Sequence, residues 1–382
     1  MANSTWNIYN FRLNLIRHFA QRGLKVVVIA PVDEYIHYLD KIAGITHIPL
    51  KSLSRSSTNP LYDLQLAFEL MGIYRQVRPD MVIHYTVKPN IFGNLAARML
   101  GIQSICVVTG LGYTMLHNGL IKKLTTQLYR LSFKFASKVL FENSDDQLLF
   151  IEKGLARAEK CMTVNGCGVN TKLYRPSSKT HLLNHKVFTF IGRLLYDKGI
   201  VEFVEAAQQL RKRCPESIFW VIGEIDERNP SFISKSQLVE WIEDETIRYF
   251  GTTKDVRKFI RQSDCIVLPS YREGLSKVIL EGLAMGKPII TTDTAGCKQT
   301  VDQGKNGFIV PVGNSDALSL AMETFCNLKP DEIEAMGQYS RRVAISRYDD
   351  AIVVEQYDQL VQSLLRLESQ EREDSRALIN LP

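Results

Sequence analysis

The segment Leu268–Thr292, LPSYREGLSKVILEGLAMGKPIITT, holds the densest set of residues able to do chemistry. A strand-like run ends at Leu268, a loop carries Glu273-Gly274-Leu275-Ser276, and a helical period runs from about Lys277 to Met285. Gly274 lets a ligand approach the backbone closely. The N–H groups of Leu275, Ser276 and Lys277 fall at a helix N-terminus, where amides without carbonyl partners attract an anion such as a diphosphate. Glu281 follows Glu273 by eight residues, a little over two helical turns. One carboxylate therefore stands in the loop while the other projects from the helix. Glu273 suits hydrogen bonds from sugar hydroxyls, and Glu281 those from a ribose diol. The spacing alone equally fits a solvated helix with two surface glutamates.

A second cluster, Ile191-Gly192-Arg193-Leu194-Leu195-Tyr196-Asp197-Lys198-Gly199, lies just past another strand-like run. Arg193 and Lys198 flank a strand-to-helix turn, where two cations can neutralise a leaving diphosphate. The competing reading is a pair of solvated charges. In the first half, His84-Tyr85-Thr86-Val87-Lys88-Pro89-Asn90 ends a strand and opens a helix, with Pro89 suited to its first position. Lys88 is the better candidate for a ligand's negative charge. His84 is either a polar partner of that ligand or, more simply, a hydrogen-bonded core histidine. Gly110-Leu111-Gly112 gives a permissive turn after a strand, useful where a ligand comes close to backbone, and Met115 replaces the third glycine of a dinucleotide fingerprint.

The elements that must position these groups follow from periodicity. Strand-like runs Lys25–Ala30, Ile45–Leu50, Asp80–Tyr85, Ile102–Val108 and Lys138–Glu142 alternate with helical segments near 10–21, 34–42, 61–77, 91–100 and 120–136. The scheme repeats with strands Val187–Ile191, Ile218–Ile222, Thr246–Phe250, Cys265–Leu268, Pro288–Thr292 and Phe308–Val310. Such alternation predicts an α/β protein of two tandem doubly wound, Rossmann-like domains with a ligand cleft between them. The expected boundaries are 1–176 for the first domain, 177–348 for the second, a helix at 349–367 and a polar tail at 368–382, with a linker at Asn170–Lys186. Only Ala2-Asn3-Ser4 precedes the first helix, so the usual opening strand, normally central, looks shortened.

Composition narrows the classes. The 382 residues are 45% hydrophobic and 23% charged, an ordinary globular mixture. Seven cysteines without a Cys-x-x-Cys pair speak against a disulfide framework or structural zinc and for a reducing, cytoplasmic location. Met1–Trp6 lacks the pattern of a secretory leader. No run reaches membrane-spanning length. Neither an Asp-x-Asp clamp, a phosphate-binding P-loop nor a His/Cys ligand cluster occurs, so no metal and no cofactor is expected. The net charge of +6 is uneven: residues 1–176 hold 21 Lys+Arg against 11 Asp+Glu, and the remainder 26 against 30. No acid lies between Asp80 and Glu142, where Lys88, Arg98, Lys122, Lys123, Arg130, Lys134 and Lys138 all fall. A basic half points to a phosphate-bearing partner. On a helical wheel Leu120, Leu124, Leu128, Leu131 and Phe135 share a face edged by Lys123, Arg130, Lys134 and Lys138. That face is either packed in the core or laid on an anionic membrane.

Arg193 with Lys198, Glu273-x7-Glu281, and Ala284-Met285-Gly286-Lys287-Pro288-Ile289-Ile290 together resemble family-4 glycosyltransferases of the two-Rossmann (GT-B) fold. The likeness covers essentially the whole chain. Trp6–Arg12, Arg55–Pro60, His84–Asn90 and Val108–Tyr113 are similar to bacterial enzymes that extend undecaprenyl-diphosphate-linked sugars for surface polysaccharide or glycoprotein glycans. The resemblance implies a retaining transfer, of an N-acetylhexosamine, from a UDP-sugar to a lipid-diphosphate-linked saccharide at the inner face of the cell membrane. The protein would be peripheral there, with no nucleic-acid partner. In that family the Arg/Lys pair holds the donor diphosphate, the first Glu meets the donor sugar and the second the ribose. The expected catalytic residues are thus Glu273, Arg193 and Lys198, with Gly274, Leu275, Ser276 and Glu281 completing the donor site. His84, Lys88, Gly110 and Gly112 are the acceptor candidates. The competing expectations are a sugar-nucleotide epimerase or hydrolase on the same fold, or a non-catalytic binding relative.

Overall fold

Parallel strands need a crossover between neighbours, and the alternating pattern of this chain supplies a helix or turn at each. The computed structural model describes residues 1–39, 41–53, 60–111, 119–177, 185–227 and 229–379. Two units divide the chain, Met1–Cys167 with Ala351–Pro382, and Gly168–Asp350. The division falls earlier than the expected linker at Asn170–Lys186. Val169 bridges to Asp349, and Arg341 donates to the carbonyls of Thr171 (2.9 Å) and Tyr174 (2.8 Å), so these residues pack as part of the second unit.

In the first unit β1 (Val26–Ala30) pairs in parallel with β2 (Ile45–Pro49). A separate parallel sheet runs β3 (Met81–Tyr85), β4 (Gln103–Val108), β5 (Lys138–Phe141), β6 (Cys161–Thr163). The helices are α1 (Thr5–Gln21), α2 (Ile36–Leu39), α3 (Pro60–Val77), α4 (Asn94–Met99), α5 (Leu120–Phe133) and α6 (Ser144–Glu152). A π-turn at Pro89–Gly93 leads into α4. Ser4 caps α1 by accepting from the Asn7 N–H (3.0 Å), and Asn143 caps α6 through the Asp146 N–H (2.7 Å). Neither α6 nor β6 was expected from periodicity: α6 has little amphipathic contrast, and β6 is three residues long.

Met1 and Ala2 lie between the two sheets. Ala2 N–H donates to Ile29 C=O (3.1 Å), the Met1 nitrogen donates to Ile83 C=O (2.7 Å), and Tyr85 N–H donates to Met1 C=O (3.0 Å). A two-residue stub thus stands where the opening strand was expected. A cavity of about 300 Å³ continues its line between β1 and β3.

The second unit holds one six-stranded parallel sheet. Its order is β12 (Gly307–Val310), β11 (Ile289–Thr292), β10 (Cys265–Leu268), β7 (Val187–Ile191), β8 (Ile218–Ile222), β9 (Arg248–Tyr249). Strands β7, β10 and β11 are buried along their whole length, as strands covered on both faces must be. The covering helices are α7 (Ile200–Arg211), α8 (Lys235–Glu243), α9 (Arg257–Gln262), α10 (Lys277–Ala284), α11 (Ser315–Cys326) and α12 (Pro330–Arg347). A final helix, α13 (Asp350–Ile379), carries the chain back into the first unit. There Val353, Tyr357, Val361 and Leu364 join Ile8, Leu15, Ile16 and Phe19 in one core. The helix runs on past residue 367, where a frayed tail was expected, because the following Glu, Gln, Arg and Ala residues are good helix formers.

Candidate active site

In an open parallel sheet, ligands bind at the carboxyl ends of strands where the strand order reverses direction. In the second unit that point lies between β7 and β10, since β7 has β8 on one side and β10 on the other. The loops leaving these two strands are the ones that carry Arg193, Lys198 and Glu273. Sequence and topology therefore converge on one place.

After β7 the chain passes Arg193 and makes a single 3-10 turn, Tyr196–Lys198, closed by Gly199. Gly199 has φ +73°, and a Cβ there would stand 2.0 Å from the Pro269 carbonyl oxygen. Only glycine fits, so the Lys198 turn is fastened directly to the loop after β10. Two further bonds fasten it: Tyr271 N–H donates to Asp197 C=O (2.9 Å), and Ser270 Oγ donates to the same oxygen (3.1 Å). Across this junction Lys198 Nζ donates to the Glu273 carboxylate. Arg193 is the half-exposed member, and its Nη1 donates to Asp226 Oδ2 (2.8 Å) in the loop after β8.

Glu273 N–H donates to Ala295 C=O (3.0 Å), and Ser276 N–H to Gly296 C=O (3.3 Å). Gly296, at φ +76°, packs so tightly that a Cβ would lie 2.5 Å from the carbonyl oxygens of Glu273 and Gly274. The β11–β12 connection thus clamps the Glu273 loop. This corrects one expectation: the Ser276 amide is taken by Gly296 and is not presented to an anion. The ladder of α10 begins with Leu280 N–H donating to Ser276 C=O (3.2 Å). The first turn of α10 supplies the positive end of its dipole at this junction.

Glu281 is 6% exposed, so it is not the solvated surface glutamate that its spacing equally allowed. Burial raises its carboxyl pKa above the ordinary value. Lys277, with Nζ 3.8 Å away, and a hydrogen bond donated by Tyr174 oppose that rise, and Asp255 adds to it. Burial first, then Glu281, pushes the Tyr174 phenol upward. Tyr174 was missed because it lies in the aperiodic segment read as linker. Asp226 was missed because its loop carries no motif. Beside Glu273, burial and then the carboxylate push the Cys297 thiol up to about 12, so it stays protonated and is no nucleophile. Among the described residues, no group of three or more His, Cys, Asp or Glu side chains could hold a metal ion.

The acceptor candidates fare unevenly. His84 is fully buried, with Nε2 2.8 Å from the Tyr74 hydroxyl, and burial drives its pKa well below 6.5. It is the core histidine of the simpler reading and cannot meet a substrate. Lys88 Nζ pairs with Asp63 Oδ1 at 2.7 Å. Gly110 sits at the end of β4 with φ +107°, a conformation that favours glycine. Gly112 lies outside the described residues, as do Arg55–Asn59.

The wheel reading of α5 has a definite outcome. Thr125, Tyr129, Ser132 and Phe133 face the core, while Leu120 (83% exposed), Leu124 (54%) and Leu131 (46%) face solvent together with Ile121 and Phe135. Ser132 tolerates burial because its hydroxyl donates to Asn90 C=O (2.8 Å) and accepts from Asn94 Nδ2 (2.9 Å). Of the four bases, Arg130 is tied to the carbonyls of Lys153 (3.1 Å) and Gly154 (3.3 Å), and Lys138 to that of Glu159 (3.0 Å). Lys123 and Lys134 are exposed beside the apolar stripe. Among the described residues, no helix is long and apolar enough to cross a membrane.

Two doubly wound units, with Arg193, Lys198 and Glu273 gathered at the strand-order reversal of the second, make up the GT-B architecture. The chain belongs to the glycosyltransferases: residues 2–143 match the family "Glycosyl transferase 4-like" and residues 185–327 match "Glycosyl transferases group 1". It is similar to the N,N'-diacetylbacillosaminyl-diphospho-undecaprenol alpha-1,3-N-acetylgalactosaminyltransferase of Campylobacter jejuni subsp. jejuni, at 29% identity over 95% of this chain and 99% of that protein. The UDP-Gal:alpha-D-GlcNAc-diphosphoundecaprenol alpha-1,3-galactosyltransferase of Escherichia coli is 23% identical over 75% of each chain. Among solved structures, Anabaena Alr3699/HepE in complex with UDP shares the fold at a TM-score of 0.77 and 19% identity, over 95% of this chain and 98% of that one. A glycosyltransferase of Rickettsia africae matches at a TM-score of 0.77 and 20% identity over 95% and 98%.

Proposed function

We propose that the enzyme transfers an N-acetylhexosamine from a UDP-sugar to an undecaprenyl-diphosphate-linked saccharide, with retention at the anomeric carbon. The Lys198–Glu273 pair, held at the strand-order reversal beside the first turn of α10, is the observation that carries this reading. The full-length likeness to the Campylobacter transferase supports the choice of lipid-diphosphate acceptor, and the UDP complex of the Anabaena neighbour supports the choice of nucleotide.

On this reading the donor diphosphate takes Arg193 from Asp226 and Lys198 from Glu273, two charge-assisted contacts exchanged for two others. The Glu273 carboxylate, parted from Lys198, then accepts hydrogen bonds from the donor sugar. Glu281, kept rigid by Tyr174 and Lys277, accepts from the ribose diol. In the transfer the bond from C1 to the diphosphate oxygen breaks while the acceptor hydroxyl oxygen bonds C1. The hydroxyl proton passes to the departing UDP oxygen. Arg193, Lys198 and the α10 dipole stabilise charge that grows toward the transition state, which is where stabilisation raises kcat.

The exposed apolar stripe of α5, with Lys123 and Lys134 beside it, supports seating on an anionic leaflet, where a lipid-linked acceptor resides. The test is a screen of UDP-sugars against a synthetic lipid-diphosphate saccharide, with product mass and anomeric configuration determined. Turnover of UDP-N-acetylhexosamine only in the presence of the lipid acceptor, giving an α-linked product from an α-linked donor, supports the reading. Turnover without acceptor makes the protein an epimerase or hydrolase.

A further inference from the structure

Helix α7 ends at Arg211, and the chain turns through Arg213, Cys214 and Ser217 into β8. Helix α11 ends at Cys326, and the ring of its Phe325 packs 5.6 Å from that of Phe188 near the start of β7. Both helix ends therefore lie at the amino-terminal edge of the second unit's sheet, away from the loops that carry Lys198 and Glu273. Ser319, Glu323 and Cys326 follow one another at helical intervals of four and three, so they share one face of α11. Arg213 binds the first two: its Nη2 donates to Ser319 Oγ (2.7 Å), and its Nε meets Glu323 Oε2 at 2.7 Å. Ser217 Oγ lies 3.6 Å from the sulfur of the third.

Cys214 stands between these two anchors, in a turn that Ser217 N–H closes by donating to Cys214 C=O (3.0 Å). Its thiol is thereby set against the Cys326 thiol, and the two share a hydrogen bond. Both residues are half-buried. Burial pushes the Cys326 thiol up to about 12, so its sulfur keeps a proton at neutral pH. The Ser217 hydroxyl and the Lys186 cation pull the other way, and they are placed to carry the charge when Cys326 gives that proton up in a reaction. Cys265, the first residue of β10, is a third sulfur near Cys326. It is fully buried, which closes it to an oxidant from solution.

We propose that Cys214 and Cys326 are a redox-modified pair, which closes to a disulfide and staples the end of α7 to the end of α11. The oxidant is a small disulfide of the glutathione class. The Cys214 thiolate attacks one of its sulfurs, the S–S bond of the oxidant breaks, and one small thiol leaves a mixed disulfide on Cys214. The Cys326 thiolate then attacks the Cys214 sulfur and expels the second small thiol. Together the two protein thiols give up two electrons and two protons, and the oxidant takes up both. The bond closes a long loop inside the second unit, so it removes freedom from the unfolded chain and favours the folded one. The proposal does not depend on the reading of activity.

The test equilibrates the full chain with mixtures of reduced and oxidised glutathione, blocks the remaining thiols by alkylation, and maps linked peptides by mass beside a thermal melt. Oxidising mixtures should yield a peptide joining Cys214 to Cys326 and raise Tm by about 5–10 °C. Excess reduced thiol should reverse both. Cys326→Ser should abolish the linkage and the rise, whereas Cys265→Ala should keep them. The mapping is made on the natural chain, so it decides the matter even where a substituted chain folds poorly. Oxidation that stops at glutathione adducts on the two sulfurs overturns the proposal. So does a linkage through Cys265, or a Cys214–Cys326 linkage that leaves Tm where it was.

Discussion

At the scale of single residues the proposed donor site pairs Arg193 with Asp226, Lys198 with Glu273 and Lys277 with Glu281, and the last two pairs yield opposite predictions. Removing Lys198 takes from Glu273 the cation it is paired with and from the proposed diphosphate site one of its two cations, so Lys198→Ala should lower kcat/KM by about 2–4 kcal/mol. Steady-state kinetics on matched preparations checks this, and near wild-type turnover would remove Lys198 from the chemistry. Glu281 behaves otherwise. Its folded pKa lies above 4.5, so the folded chain holds a proton that the unfolded chain has already released, and stability falls as pH rises through that window. Lys277, Tyr174 and Asp255 are the groups that face it. Glu281→Gln should therefore raise Tm at neutral pH while weakening UDP binding measured by calorimetry. A fall in both would make Glu281 a structural carboxylate. Glu273 and Glu281 were legible in sequence because an eight-residue spacing across a loop and helix is a pattern. Asp226 and Tyr174 were not, because each reaches the site only through the folding of a loop that has no period.

Elements carry the next level of specificity. Gly199 links the Lys198 turn to the loop after β10 with no space for a side chain, so Gly199→Ala should cost more than about 2 kcal/mol. Activity should fall further than stability, because the clash moves Lys198 away from Glu273. Denaturant unfolding alongside kinetics separates the two. Helix α5 makes the complementary case. Its apolar periodicity was plain in the sequence, yet the wheel could not say which side met the core. Thr125 and Ser132 lie inward because Asn90 and Asn94 satisfy Ser132, and this leaves Leu120, Leu124 and Leu131 outward. Near an anionic leaflet each base contributes about 1 kcal/mol. Reversing Lys123 and Lys134 to Glu should weaken sedimentation with anionic vesicles markedly, and salt should weaken the wild type in the same way. Binding that ignores both changes would leave the stripe without a lipid partner. Arg130 is excluded from that test because it holds the turn at Lys153–Gly154.

On the scale of the whole molecule the chain is not two beads on a string. The second unit is one uninterrupted stretch, Gly168–Asp350, whereas the first is closed by residues from both ends of the sequence. Apart from β6, sequence periodicity found every strand of both units within a residue or two, but it placed the division late, because Asn170–Tyr174 has the polar composition of a linker and becomes part of the second unit only through Arg341 and Asp349. Residues 168–350 expressed alone should fold cooperatively. Residues 1–167 alone should not, since Val353, Tyr357, Val361 and Leu364 complete their core and Arg22 donates to Asp358. Supplying a 351–379 peptide should restore a cooperative melt to the first segment. A cooperative transition in 1–167 without the peptide would mean that α13 is dispensable to it.

The path of α13 also orders events on the ribosome. Synthesis delivers the first unit's sheets early but its closing helix last, so that unit must wait, incompletely covered, while the contiguous second unit emerges and folds. Translation stalled with residues up to 350 outside the exit tunnel should hold a protease-resistant second unit beside a protease-sensitive first one. The half of the enzyme made first would then be the half that matures last, and the interval between is when it most needs a chaperone.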